Sequence, residues 1–222
     1  MPGYAMKMPF VKKAYTRYVT GKGKKHFLPN PAYFASARNA RKNSRMNAVS
    51  TYIGKQGGGG PADELRFGLF RMAVNGCEVI AAYNLLKYLG HFRDIRQIAA
   101  DFERSGAVLL GGFGVRPGSI RSYLERSLFS EVRLVRTTDA DEMDRVFAGH
   151  RAAIISFWNG PKKWTIHTVM LCRLPNGRVR LFNRFIDRVT ADYDSLRAFA
   201  DDPKDPVVPL SLIVPEGPFN LI

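Results

Sequence analysis

The sequence predicts an α+β fold, with helices in the first half of the folded region and strands in the second. Two observations lead to this expectation. Apolar residues recur at helical spacing up to about residue 148, and from Ala152 onward short β-branched and apolar runs replace them. Helices followed by strands is the order of an α+β fold. With 222 residues, 45% of them hydrophobic, the chain can bury a full core without disulfide staples.

Each element is predicted either from the helical spacing of apolar residues or from the short β-branched and apolar runs. Helices are expected at 77–89, 94–105, 117–128 and 139–148. Acidic residues suited to a helix N-terminus open the last of them. Strands are expected at 152–157, 166–174, 178–182 and 210–214, with one short helix near 193–200.

The net charge of +15 is concentrated near the N-terminus. Residues 1–60 contain 12 Lys or Arg and no Asp or Glu, whereas the remainder contains 22 basic and 19 acidic residues. The break precedes Gly57-Gly58-Gly59-Gly60-Pro61, a run typical of a linker. We therefore expect a basic, flexible extension over 1–60, with a helix from about residue 31 to 50, and a folded domain over 61–222.

The composition of the extension favours an anionic partner. Lys and Arg release counterions from phosphates and aromatic rings can stack, so residues 1–60 suit nucleic acid, an anionic membrane surface or an acidic partner. A solvated tail and a cleavable organelle address are the alternatives. The N-terminus lacks the apolar core of a signal peptide, and no stretch approaches the roughly 20 apolar residues of a membrane helix. The expected location is the cytoplasm, or outside the cell by a non-classical route.

Cys77 is the main candidate for chemistry, because it opens an apolar helical run. Asn75 suits an N-cap, and Glu78 three residues later makes a capping-box-like pair that places Cys77 in the first helical turn. Unpaired backbone N–H groups and the helix dipole favour the thiolate there. The alternative is a small, buried core cysteine.

His167 and Asn183 are predicted to meet on one face of a β-hairpin. His167 lies in a predicted strand rich in β-branched residues, and strand propensity does not favour histidine there. The run Pro175-Asn176-Gly177 suits a type I turn with glycine in the left-handed position. That three-residue loop sets Val169 opposite Asn183, which then lies two residues diagonally from His167. A two-residue loop would put Asn183 on the other face. A hydrogen-bonded core histidine and a strand-end asparagine are the alternatives.

The remaining cysteine and histidines are expected to be structural. Cys172 lies five residues after His167, so it faces the other side of the strand and belongs to the core. His26, His91 and His150 belong to no Cys/His metal spacing. No metal or cofactor is expected.

Asn75-Gly76-Cys77 with its helix, the strand residue His167, and Asn183 sixteen residues later resemble the papain-like cysteine peptidase superfamily. The likeness is closest to the bacteriocin-processing, double-glycine-cleaving branch, and it covers about residues 67–214. It implies a papain-like fold, with N-terminal helices packed on a C-terminal antiparallel sheet. It also implies that Cys77 is the nucleophile, His167 the general base and acid, and Asn183 the residue that orients the imidazole.

Two positions depart from the pattern of that branch. Glu78 stands where glycine is usual, which brings a carboxylate close to the sulfur. Arg71 stands where papain-like enzymes supply an oxyanion-hole glutamine, some six residues before the cysteine. Arg71 and Asn75 are the side-chain candidates for that role, beside the Cys77 backbone N–H.

Two loops are candidates for substrate binding. Gly111 and Gly112 belong to a glycine loop that resembles one holding substrate backbone in papain-like peptidases, and an ordinary interhelical loop is the alternative. Trp158 and Trp164 flank a segment just before His167 that would rim the cleft, or would pack as part of a surface loop.

The sequence therefore favours a thiol hydrolase, a cysteine peptidase that cleaves peptide or protein substrates through a Cys-His-Asn triad. A deamidase, transglutaminase or acyltransferase would use the same residues. A non-catalytic papain-fold protein, with a basic arm for nucleic acid or membrane, is the third interpretation. The run Gly57–Gly60 is also a candidate self-processing site, for which a flexible linker is the simpler account.

Overall fold

The computed structural model describes residues 31–112, 114–159 and 165–217, which contain seven α-helices and eight strands. The helices are α1 (Pro31–Asn43), α2 (Met72–Asn75), α3 (Cys77–Tyr88), α4 (Ile95–Arg104), α5 (Pro117–Leu128), α6 (Ala140–Phe147) and α7 (Leu196–Ala200). The strands are β1 (Arg66–Phe67), β2 (Phe70–Arg71), β3 (Val132–Val135), β4 (Ala152–Trp158), β5 (Ile166–Arg173), β6 (Val179–Phe182), β7 (Thr190–Tyr193) and β8 (Val208–Pro215). None of these helices combines the length and the apolarity that crossing a membrane requires.

Six strands form one antiparallel sheet in the order β3-β8-β4-β5-β6-β7. On one face of the sheet, Ile154 and Met170 pack in the main core with the apolar residues of α3, α4 and α5. On the other face, Ile155 and Leu171 pack with α6 and α7. The fold is α+β, as the sequence predicts, and α3 is held directly against β5.

The folded body begins earlier than the charge pattern predicts. Helix α1 buries Ala32 and Asn39 on one face and leaves Arg38 exposed on the other. Val49 and Ile53 also belong to the main core. The boundary expected at residue 61 is therefore corrected, because 31–60 is packed structure and not a flexible extension. Residues 1–30, the rest of that predicted extension, lie outside the described residues.

Buried hydrogen bonds tie this early segment to the helices that follow. Asn84 in α3 donates from Nδ2 to the Ile53 carbonyl (2.8 Å), and its Oδ1 accepts from the Ile53 N–H (2.9 Å). Asn39 donates from Nδ2 to Glu103 Oε1 in α4 (2.7 Å). Because buried backbone groups need partners, these amides fix the path of 39–53 across the helices.

The glycine run is a compact turn and not a linker. The backbone N–H groups of Gly57, Gly59 and Gly60 donate to the Asp63 carboxylate at 2.7 to 2.8 Å. Gly57, Gly58 and Gly59 have positive φ angles, which side-chain-bearing residues rarely adopt. A downstream carboxylate thus folds the four glycines back on themselves, and the expected linker is wrong.

Candidate functional site

Helix α3 places Cys77 at its first position, as predicted, but the cap differs from the prediction. The N-cap is Gly76, and no side chain caps the helix. Asn75 belongs to the short helix α2, and its Nδ2 donates to the Phe67 carbonyl (3.1 Å). Gly76 is required because a Cβ there would lie 2.1 Å from the Met72 sulfur. The expected Asn75–Glu78 capping box is therefore absent, and the Glu78 carboxyl group instead accepts from its own backbone N–H in the first turn.

The β5–β6 hairpin has the predicted register. Met170 pairs with Phe182 and Leu171 with Leu181, so the ladder continues toward Val169 opposite Asn183. Two backbone hydrogen bonds close the turn, from Gly177 N–H to the Leu174 carbonyl (2.9 Å) and from Leu174 N–H to the Arg178 carbonyl (2.8 Å). The turn chemistry read from the sequence is thus sufficient to bring Asn183 to His167.

The group that meets His167 is the backbone of Asn183. His167 Nε2 donates to the Asn183 carbonyl oxygen at 2.5 Å. Asn183 has a φ of 63°, a left-handed conformation that turns this carbonyl toward the histidine. Its side-chain Nδ2 instead donates to Gln56 Oε1 (3.3 Å). Asn183 lies where the turn predicts, and it meets His167 through its carbonyl because the strand ends at Phe182 and Asn183 leaves the ladder.

One pocket joins the three predicted catalytic residues. It has a volume of about 280 Å³ and is open to solvent. It is lined by Cys77, His167 and Asn183 together with Gln56, Val74, Asn159, Thr165, Ile166, Arg184, Phe185 and Ile186. Two of these, Val74 and Ile186, are exposed apolar side chains at its rim. The space is enough for a short side chain and the peptide unit that bears it.

The Cys77 side chain is buried and contacts a carboxyl group. Its Sγ donates a hydrogen bond to Glu78 Oε2 (3.2 Å). Burial raises the pKa of Cys77 well above its usual value, and the charge of Glu78 and its hydrogen bond raise it further. Hydrogen bonds from the backbone N–H groups of Thr168 and Glu78 to the sulfur oppose this rise and are outweighed. The helix N-terminus by itself favours the thiolate, whereas burial and the Glu78 carboxyl group raise the pKa of Cys77 and so favour the thiol.

Glu78 is a buried carboxyl group that accepts hydrogen bonds from its neighbours. Burial also raises its pKa, while hydrogen bonds from its own backbone, from Cys77 and from Val115 lower the pKa. A Cβ on Gly114 would lie 2.3 Å from Glu78 Oε1, so the carboxyl group rests directly on this glycine. The loop that carries Gly114 and Val115 therefore holds Glu78 against the sulfur.

His167 is neutral at physiological pH. Burial lowers its pKa to about 4, with a further lowering from the charge of Arg184, and the hydrogen bond to Asn183 opposes both. A carbonyl oxygen only accepts, so Nε2 carries the proton and Nδ1 keeps a free lone pair. The ring also packs edge-on against Phe157, with the ring centroids 5.7 Å apart. The described residues contain no hydrogen bond between Cys77 and His167, so thiol and imidazole share the pocket without forming a pair.

Gln56 is the site residue that sequence reasoning missed. Its Nε2 donates to the Met72 carbonyl (3.0 Å), and its Oε1 accepts from Asn183. It lines the pocket beside Cys77, although it lies 21 residues earlier in the chain. The sequence contained one signal for this residue. The resemblance implies a glutamine before the cysteine, and of the two glutamines in the chain only Gln56 precedes Cys77. Its place in a segment assigned to the extension concealed it.

The two side-chain candidates for an oxyanion hole lie elsewhere. Arg71 is exposed and pairs with Glu64, with Nη1 and Oε1 2.9 Å apart. Asn75 is buried, with its Nδ2 on Phe67 and its Oδ1 without a partner. Neither residue lines the pocket, so both assignments are corrected. The spacing rule failed because α2 and the β1–β2 hairpin turn this stretch away from the sulfur.

The predicted substrate loops are also displaced from the pocket. Gly111 ends a 3₁₀ turn, where its carbonyl accepts from the Leu69 N–H (2.8 Å), and Gly112 lies against the Phe70 ring. Trp158 is a buried residue of β4 and does not line the pocket. These three residues are structural here, which is the alternative that the sequence allowed. Trp164 lies outside the described residues.

The other cysteine is a core residue, as predicted. Cys172 packs in the main core, on the face opposite Val169 and Leu171. Within the described parts of the chain, no three His, Cys, Asp or Glu side chains are arranged to hold a metal ion.

Compared with protein-family models and with curated proteins, the chain matches none.

Proposed function

We propose that the protein is a papain-like thiol hydrolase that cleaves peptide bonds, with Cys77 as nucleophile and His167 as base. One observation carries this proposal. Cys77 and His167 line a single open pocket, and the Asn183 carbonyl fixes the imidazole as the tautomer whose Nδ1 can accept a proton. A nucleophile, a base and a group that orients the base are the parts that acyl transfer needs.

The reaction starts from a neutral pair. The thiol leaves Glu78 and turns to His167, whose Nδ1 takes its proton as the sulfur attacks the substrate carbonyl. The Nδ1 proton then passes to the leaving amine as the carbon–nitrogen bond breaks, which leaves a thioester on Cys77. Water attacks the thioester, its proton passes to Nδ1, and the acid and the thiol are released. The proton count is restored at the end of each cycle.

Two groups near Cys77 suit the stabilisation of the oxyanion. The Cys77 backbone N–H is in the first turn of α3, where helical N–H groups have no intrahelical partner. The Gln56 amide has a second N–H besides the one on Met72. Each such donor is worth about 10²–10³ in rate when it meets the developing charge. Gln56 therefore takes the place that the sequence assigned to Arg71 and Asn75.

A labelling experiment tests the proposal. The full chain is treated with an electrophilic peptide ketone ending in Gly-Gly, the residues that the resemblance favours, and the adduct is located by mass spectrometry. We expect one adduct on Cys77, formed at a rate about 100-fold lower in His167→Ala, because a positioned base contributes about 10²–10⁴. Cys172→Ala is the matched control and should label like the native chain.

Two results would contradict the proposal. One is equal labelling of Cys77 and Cys172, which would mean that the pocket gives Cys77 no special reactivity. The other is a labelling rate that does not change in His167→Ala. Product masses then separate the chemistries, because deamidation adds about one dalton to an intact peptide whereas hydrolysis divides it.

A non-catalytic binding protein is the second candidate, and the Cys77–Glu78 contact favours it. A thiol that donates to a buried carboxylate is held away from the imidazole. If this is the working state, peptides bind the pocket with the same affinity in Cys77→Ala and in the native chain. No adduct then forms over long incubation, and the two candidates are distinguished.

A further inference from the structure

A second cleft lies between helices α4 and α5, and no residue lines both it and the Cys77 pocket. It has a volume of about 400 Å³. We call it the α4–α5 groove. Its lining includes Arg93, Asp101, Arg104, Tyr123, Arg126 and Ser127. Three arginines and one acidic residue are therefore among the described residues that line this cleft.

The arginines of the α4–α5 groove are poorly neutralised. Among the described residues, neither Arg93 nor Arg126 takes part in an ion pair. Arg104 reaches Asp101 only at 4.0 Å, with both side chains largely exposed. The groove thus has a surplus of about two positive charges, contributed by residues just before α4, at the end of α4 and near the end of α5.

Tyr123 adds a buried donor that points to a ligand. The residue is 4% exposed, and its ring packs on Phe102 with centroids 4.8 Å apart. Among the described residues the Ser127 side chain interacts with the Tyr123 hydroxyl, but not in the geometry of a regular hydrogen bond. Burial raises the pKa of Tyr123, so the hydroxyl keeps its proton and acts as a donor. A buried hydroxyl with so poor a partner costs free energy, and an acceptor bound in the groove would satisfy it.

We propose that the α4–α5 groove binds the phosphate group of a phosphate monoester. Such a group carries close to two negative charges at pH 7, which matches the surplus, and has three acceptor oxygens for two guanidinium forks and one phenol. A neighbouring cleft of about 600 Å³ shares Arg93, Asp101 and Arg104 with the groove. It gives room for the organic part of the molecule.

Inorganic phosphate is the probe that tests this site. Backbone amide resonances of the full chain are followed by NMR as phosphate replaces chloride at constant ionic strength. We expect saturable shifts at 104–105 and 123–127. Affinity should fall about tenfold in Arg126→Gln and by a similar factor in Tyr123→Phe, because charge-assisted bonds and buried donors contribute on this scale. Arg133→Gln, which removes an exposed arginine of β3, should bind like the native chain.

Three results would overturn the proposal. Acetate that shifts the same amides with the same affinity would show a site for any anion. An unchanged affinity in Tyr123→Phe, which keeps the ring and the core, would remove the buried donor from the argument. An Arg133→Gln chain that loses as much affinity as Arg126→Gln would leave only diffuse attraction. None of these outcomes depends on the chemistry at Cys77.

Discussion

At the scale of single residues, burial and Glu78 both raise the pKa of Cys77. The sequence indicated a conflict between a helix N-terminus that favours the thiolate and a carboxylate that opposes it. The structure resolves it in favour of the thiol, because burial and the carboxylate act in the same direction on the Cys77 pKa. The helix dipole alone would lower the pKa of Cys77, and the contact with the Glu78 side chain raises it.

We expect Glu78→Gln to make Cys77 more reactive at neutral pH. Removing the negative charge lowers the pKa of Cys77, because that charge and its hydrogen bond both raise it. The thiolate fraction, and with it the alkylation rate at pH 7.5, should rise severalfold. Measured from pH 6 to 10, the rising limb of the rate should move to lower pH.

Glu131→Gln is the control for this change, because it removes an exposed carboxylate at the start of β3. Its alkylation profile should overlay that of the native chain. If Glu78→Gln leaves the profile in place as well, the carboxylate does not hold the thiol in solution.

At the scale of elements, the β5–β6 hairpin was predictable because its information is local. A turn of fixed length sets the register, and the register sets which residues share a face. The edge strands β3 and β7 were missed because each is four residues long and half-buried, so neither shows a clear alternation. Helices α3 to α6 were predicted within one residue at each end, because each has a long apolar face.

We expect Gly177 to be required because of its backbone conformation, and not because a side chain there would clash with its neighbours. It has a φ of 83°, and a Cβ there would meet nothing within 4 Å. Gly177→Ala should therefore lower the free energy of unfolding by about 1 kcal/mol, the cost of a left-handed alanine. Urea denaturation measures it.

Gly149→Ala is the matched control for Gly177→Ala. A Cβ there also meets nothing within 4 Å, and the backbone is not left-handed. That substitution should be neutral or slightly stabilising. Equal losses at the two positions would mean that the hairpin turn is not strained by a side chain.

At the scale of the whole molecule, the early segment completes the pocket as well as the core. Charge and glycine content assigned 31–60 to an extension, yet Gln56 contacts Asn183 across 127 positions of sequence. Composition could not reveal this, because the contacts use amide side chains and backbone groups spread along the chain. The positions of Cys77, His167 and the turn were predictable from local patterns, and the position of Gln56 was not.

Asn84 should be essential for this assembly. In Asn84→Ala the buried N–H and carbonyl of Ile53 lose their partners, which should lower the free energy of unfolding by about 3 kcal/mol. Chemical denaturation measures the loss. Asn47→Ala, at an exposed position of the same segment, should change stability by no more than about 0.5 kcal/mol. Similar stabilities of the two variants would show that the segment is not docked on α3.

The carbonyl that Asn183 presents to His167 has a consequence for recognising distant relatives. The group that meets His167 is a backbone oxygen whose direction is set by a torsion angle, while the amide side chain donates to Gln56. Glycine and aspartate tolerate the same left-handed torsion and would present the same oxygen. A search pattern that demands asparagine sixteen residues after the histidine would discard chains whose imidazole is held in this way. The informative pattern is the length of the turn, followed by a residue that accepts a positive φ.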